Sequence, residues 1–328
     1  MLSDFCGAKH AIAVVNGTAA LHIALKVAGV STNDEVILPA LTFIATANAV
    51  SYLGAHPHFV DSEEKTLGID PVALREWLNY ISEPTPNGIR NKKTGRNISA
   101  LVAMHVFGHP SSIDQLMGVC RDFKLIFIED AAESLGSFYF GKHTGTFGLM
   151  GTLSFNGNKI VSCGGGGAIL TNSETTANYI KHITTTAKTP HKWKFDHDYV
   201  GYNYRMPNIN GALGCAQMER LPDFILSKRK LYELYKNVFY NSKIGKIMHE
   251  PHGCSSNYWL QTFLLCQDKL LLRDEILETS NENFIGCRPV WSLLNKQKPY
   301  KNTQHSPLIV AEILEKKIIN LPSSYGLA

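Results

Sequence analysis

The chain has 328 residues, 44% of them hydrophobic and 18% charged, which is enough apolar chain for a large core divided between two domains. Its net charge is only +4, from 32 Lys and Arg against 28 Asp and Glu, and the basic residues are dispersed, so nucleic acid is not expected as a partner. No run approaches the roughly eighteen uninterrupted apolar residues that cross a bilayer, and MLSDFCGAKH at the start lacks the basic and apolar regions of an export signal, so a cytoplasmic protein with no membrane role is expected.

The first helix signal is NGTAALHIALKVAG. A turn at Asn16 and Gly17 precedes apolar residues at helical spacing, Leu21, Ala24, Leu25 and Ala28, and Gly29 closes the run. DEVILPA then reads as a strand, TFIATANAVSYLG as a helix and HPHFVD as a second strand. The polar, turn-rich stretch EPTPNGIRNKKTGRN, residues 83–97, predicts an exposed loop. ALVAMHVFG, LIFIED, GTLSFN and GAILTN continue the strands, with a helix at IDQLMGVCRDF. Short apolar runs separated by helices predict a mostly parallel sheet covered on both faces, an α/β fold.

Past Leu221 the pattern changes. PDFILSKRKLYELYKNVFYNSKIG has the period of a long amphipathic helix with proline near its start. YWLQTFLLC reads as a strand, KLLLRDEILETS as a helix, FIGCRPVW as a strand and PLIVAEILEKKII as a final helix. The expected organisation is a large α/β domain over 1–221 and a smaller α+β domain over 222–328.

The seven cysteines include no C-x-x-C pair, which fits reduced thiols. The thirteen histidines lack ligand spacing even in HPH and HVFGH, so no metal is expected.

In an open parallel sheet, ligands sit beyond the carboxyl ends of the strands. Asp130 ends the apolar run LIFIED, where it either caps the following helix or holds a protonated ring nitrogen of a cofactor. Gly17 and Thr18 open a helix, where free N–H groups either are simply capped or bind a phosphate. Lys159 stands between GTLSFNGN and the four glycines at 164–167, where backbone and ligand approach closely. An amine, an acid and an anion cup in this order match the needs of pyridoxal phosphate.

Several linked stretches carry this further: AVVNGTAALHIAL, DEVILPALTFIATANAV, HVFGHP, IEDAAESLGS, GTFGLMGTLSFNGNKIVSCGGGGAI, VGYNYRMPNINGALG and RPVWSLLNKQKPY. Together they resemble the DegT/DnrJ/StrS family of pyridoxal-phosphate-dependent sugar aminotransferases, over nearly the whole chain. The resemblance implies the type I aminotransferase fold and transfer of an amine, usually from glutamate, to a nucleotide-linked keto-sugar. It makes Lys159 the lysine that bonds the cofactor and then shuttles protons, and Asp130 the partner of the ring nitrogen. It assigns Gly17, Thr18 and Ser154 to the phosphate cup, Phe43 to the ring face and Glu133 to the neighbourhood of the ring hydroxyl. Asn203 matches an asparagine that reaches the neighbouring subunit's cofactor, which implies a homodimer with shared sites.

The closest branch by resemblance aminates the 4-keto position of UDP-linked 2-acetamido-2,6-dideoxyhexoses; dTDP- or GDP-linked keto-sugars are the alternatives. Arg288 and Trp291 are candidate contacts to nucleotide or sugar, and Lys188, His191 and Lys192 in the loop at 184–198 to phosphates. Family members usually carry a segment before FCGAKHAIAVVNGT, and its absence here raises the further alternative of a catalytically impaired, cofactor-binding partner subunit.

Overall fold

The computed structural model describes residues 1–328. The chain opens with α1 (Leu2–Cys6), β1 (His10–Val14), α2 (Gly17–Val27), β2 (Glu35–Pro39), α3 (Ile44–Ser51), β3 (His56–Val60) and α4 (Pro71–Ile81). A hairpin of β4 (Ser82–Thr85) and β5 (Gly88–Asn91) leads to β6 (Asn97–Met104), α5 (Ile113–Phe123) and β7 (Ile126–Asp130). Short strands β8 (Phe138–Tyr139) and β9 (Lys142–His143) precede β10 (Met150–Ser154), β11 (Gly167–Thr171), α6 (Glu174–Thr184) and α7 (Asn208–Glu219).

All of these strands except β8 and β9 build a nine-stranded sheet whose main path is β1-β11-β10-β7-β6-β2-β3. β11 is antiparallel to both of its neighbours, and the rest of the path runs parallel. The alternating side chains of β2 show why both faces are covered: Val36 and Leu38 pack with residues of α2 and α3, whereas Ile37 packs with residues of α4 and α5.

The segment at 83–97 is not the exposed loop that its polarity suggests. It forms β4 and β5, and β5 pairs with β6. The cause is the buried carboxylate of Glu35, which accepts from Asn91 Nδ2 at 2.9 Å, Thr94 Oγ1 at 2.6 Å and His58 Nδ1 at 2.8 Å. A buried acid needs such partners, and the hairpin supplies two of them.

After α7 come α8 (Leu221–Val238), β12 (Gly245–Ile247), β13 (Cys254–Ser255), β14 (Gln261–Leu265), α9 (Arg273–Glu282), β15 (Arg288–Pro289), α10 (Ile309–Lys317) and β16 (Ile318–Leu321). A second sheet, β12-β14-β16-β15, draws all its strands from beyond Leu221. The final helix is shorter than its apolar pattern suggests, because Ile318 and Ile319 pair with β14 and are fully buried. β-branched side chains suit that strand better than a helix end.

This later part of the chain also returns to the earlier part. β13 pairs with β8, Leu294 N–H donates to the Ala40 carbonyl at 3.0 Å, and Asp61 accepts from the N–H groups of Val310 and Ala311 at the start of α10. No helix is long and apolar enough to cross a membrane.

The β7–β10 pairing depends on Gly151, where a Cβ would drive into the backbone of Gly145. Gly151→Ala should therefore lower unfolding stability by about 3 kcal/mol, measured by urea denaturation. A loss within about 0.5 kcal/mol would show that the turn before β10 yields freely.

Candidate active site

Successive residues of a strand face opposite ways, and the end of β7 uses this to separate two acids. Glu129, fully buried, accepts from the N–H groups of Gly145 (2.7 Å), Phe147 (2.7 Å) and Gly148 (2.8 Å) and from His105 Nε2 (3.2 Å). His105 Nδ1 accepts from Ser111 N–H at 3.1 Å, so its Nε2 carries the proton given to Glu129. Backbone and imidazole hydrogen bonds hold the Glu129 carboxyl below its usual range in spite of burial.

Asp130 is poorer in partners. It accepts from Thr46 Oγ1 at 2.8 Å and from Ala132 N–H at 3.2 Å, both neutral groups. Burial pushes its pKa up, against the pull of these hydrogen bonds and of the charge on Lys159. A buried carboxylate with only neutral direct partners fits a cationic ring nitrogen on its open side.

Lys159 lies in the turn after β10, its N–H bonded to the Asn156 carbonyl at 2.9 Å. Its Nζ is 3.3 Å from Glu133 Oε1 and 4.0 Å from the centre of the Trp259 indole. The other oxygen of Glu133 accepts from Phe107 N–H at 2.9 Å. Burial pushes the Glu133 carboxyl up to about 7, opposed first by the charge of Lys159.

Ser154 at the end of β10 meets Gly17 at the start of α2. A Cβ on Gly17 would lie 2.9 Å from Ser154 Cβ, so only glycine leaves this junction open. Asn16 caps the helix by accepting from Ala19 N–H at 2.7 Å, and half-buried Thr18 stands beside it. The glycine run serves the same place. Gly164, Gly165 and Gly166 have φ of +74°, +150° and +153°, and a Cβ on Gly167 would strike the backbone of Asn16. A helix start, a hydroxyl and a crowded, side-chain-free strand form a cradle suited to a phosphate.

Phe43 precedes α3 and is 49% exposed, so it is no core residue. Its ring lies 6.3 Å from Trp291, which lies 5.0 Å from Phe107, itself 6.4 Å from Trp259. An aromatic row thus joins Phe43 to the indole over Lys159.

The structure therefore gathers Lys159, Asp130 and Glu133 in one group, sets Gly17, Thr18 and Ser154 together at the cradle, and places Phe43 and Trp291 along one wall. Asn203 is exposed on a segment whose next residue, Tyr204, accepts from Val15 N–H at 2.8 Å beside the cradle strand. Lys188 lies over Phe195 within its own loop, and Arg288 is exposed on β15. Sequence reasoning passed over Thr46, Trp259, Asn257 and the pairing of His105 with Glu129. Of these only Glu129, adjacent to Asp130 at a strand end, carried a local signal.

The chain matches the model of the DegT/DnrJ/EryC1/StrS aminotransferase family over residues 1–328 and belongs to that family. It is 34% identical to the GDP-perosamine synthase of Caulobacter vibrioides, over 99% of this chain and 83% of that protein. It is 37% identical to the GDP-perosamine synthase of Escherichia coli O157:H7, over 96% and 80% respectively. The crystal structure of a family aminotransferase from Brucella abortus superposes with a TM-score of 0.88 at 25% identity, covering 100% of this chain and 84% of that one. The protein is thus a pyridoxal-phosphate-dependent sugar aminotransferase of type I fold.

The raised Glu133 pKa has a stability consequence. An acid at about 7 when folded and near 4.5 when unfolded binds more protons in the native state between those values, so its ionisation costs stability as pH rises through that window. Relative to wild type, the apoprotein of Glu133→Gln should gain up to about 3 kcal/mol between pH 5 and 7, with no further gain above. Urea unfolding at pH 5, 7 and 8 tests this, and a pH-independent difference contradicts it.

Proposed function

We propose that this aminotransferase converts a GDP-linked keto-sugar to the amino sugar, with glutamate as donor and Lys159 as the catalytic amine. The observation that carries the choice of nucleotide is the naming of two relatives, 34% and 37% identical, as GDP-perosamine synthases. Their names favour GDP over the UDP-linked sugar that the sequence resemblance suggested.

When bound, pyridoxal phosphate supplies a conjugated ring that draws electron density from the carbon bearing the amine. In this reading Asp130 holds the ring nitrogen, and the Gly17, Thr18 and Ser154 cradle takes the phosphate. Phe43 would cover the ring, and Glu133 would stand near its hydroxyl. Lys159 Nζ takes and returns the proton at the reacting carbon, and Glu133 Oε1, 3.3 Å away, stabilises that nitrogen when it is protonated. Burial of this group keeps water from competing for the same proton. Lys188 and Arg288 are the cations offered to the diphosphate, and Trp291 is the surface offered to the sugar or base.

Asn203, exposed on its own subunit, is assigned to the partner's cofactor phosphate in a homodimer. The intact Lys159 and Asp130 group favours an active enzyme over an impaired partner subunit.

Mass spectrometry of products from GDP-, UDP- and dTDP-linked keto-sugars with glutamate tests the substrate. Amination of the GDP-linked compound is expected, at least about tenfold above the others in kcat/KM. Conversion of the UDP-linked sugar alone would overturn the reading, and loss of turnover in Lys159→Ala is required by it.

Shared sites have their own test. Lys159→Ala and Asn203→Ala should each be impaired, and their mixture after subunit exchange should recover about a quarter of wild-type activity, since half of random dimers keep one intact site. No recovery despite exchange argues that Asn203 serves its own subunit or none.

A further inference from the structure

We infer that Trp259 is a positioning residue for Lys159, and that Asn257 ties it to Glu133 so that the two groups clamp the amine as one unit. The inference rests on Lys159 being the cofactor lysine.

The geometry begins with the amine. Lys159 has Glu133 Oε1 at 3.3 Å and the Trp259 ring centre at 4.0 Å, so a carboxylate and an indole face both meet one ammonium. Its side chain is 12% exposed, which leaves little water to screen either contact. Trp259 is itself held at its edge, where Nε1 donates to the Asn158 carbonyl at 2.7 Å, one residue before the lysine. This bond at its edge turns the indole face toward the charged end of Lys159.

Asn257, fully buried, holds both sides of the clamp. Its Oδ1 accepts from Trp259 N–H at 2.8 Å, and its Nδ2 donates to the carbonyls of Glu133 and Leu135, each at 2.9 Å. Its own N–H donates to Ser137 Oγ at 2.9 Å. From the other side, Lys228 Nζ donates to the Trp259 carbonyl at 2.9 Å and to the Ser323 carbonyl at 2.6 Å. Between Asn257 and Trp259 the backbone is forced: Tyr258 takes φ of +49°, a left-handed conformation that a large side chain adopts only where its surroundings impose it. The chain thus accepts local strain to present the indole to the lysine.

Packing alone and a directed π face make different predictions. Trp259→Phe keeps an aromatic face toward Nζ but loses the Nε1 hydrogen bond, whereas Trp259→Leu fills part of the volume with no π face. The readout is the rate at which apoprotein captures pyridoxal phosphate covalently, followed by visible absorbance, and the site of capture after borohydride reduction, read by peptide mass spectrometry. Single-turnover reaction with glutamate supplies the division between kcat and KM.

Capture by Trp259→Leu should be about tenfold slower, with Trp259→Phe within about threefold of wild type. The glutamate half-reaction should slow in kcat with KM unchanged. Equal slowing in Phe and Leu, or no slowing in Leu, overturns the inference. If circular dichroism shows that the Leu variant is unfolded, Trp259→Met, flexible and without a π face, carries the same comparison. Label on a lysine other than 159 overturns the assignment of Lys159 and this inference together. Label on Lys159 at an unchanged rate overturns only the role of Trp259.

Discussion

Two neighbouring acids at the end of β7 set the terms for the whole site. A buried carboxylate is costly unless hydrogen bonds or a cation meet it. The sheet pleat sends Glu129 and Asp130 to opposite faces, and the structure treats them differently. Glu129 gathers three backbone N–H groups and His105, which fixes the turn at 145–148. That turn delivers the chain into β10, and β10 ends at Ser154, shortly before Lys159. Asp130 receives one hydroxyl and one N–H and keeps its capacity for a ligand. The first acid is consumed in building the frame; the second has fewer partners.

Charge balance follows from this division. Asp130 and Glu133 face a single ammonium, Lys159, and each carboxyl is pushed up by burial. Together they are one positive charge short when both are ionised. A cationic ring nitrogen against Asp130 closes that deficit, whereas a neutral ligand leaves it open. The same low-dielectric surroundings strengthen the contact between Lys159 and Glu133, so the amine is held in place.

The fold was legible because its periodicity is local. DEVILPA could only be a strand buried on both sides, and NGTAAL only a helix start. Lys159 and Asp130 were legible as strand-end residues beyond apolar runs. What stayed hidden was long-range. Asn91 and Thr94 look like loop residues until Glu35, at the start of β2, comes within hydrogen-bond reach. Ile318 and Ile319 continue a helical pattern until β14 claims them. Trp259 reads as the start of a strand, and nothing within several residues of it marks a lysine 100 positions earlier in the chain. The antiparallel course of β11 is equally silent in composition, since GAILT is as apolar as its parallel neighbours.

Several of the hidden contacts come from beyond Leu221. Trp259, Asn257 and Trp291 all enter a site whose acids and amine belong to the earlier part of the chain. The central strand of the small sheet, β14, begins at Gln261, immediately after this segment, so Tyr258 and Trp259 are the residues that lead from the site back into that sheet. Lys228, buried on α8 with carbonyls as its only partners, braces the passage and has its pKa pulled down to about 8 by burial. A buried ammonium without a carboxylate is retained only where the backbone it holds matters. Here that backbone carries the indole over Lys159, so the later part of the chain both covers and contacts that amine.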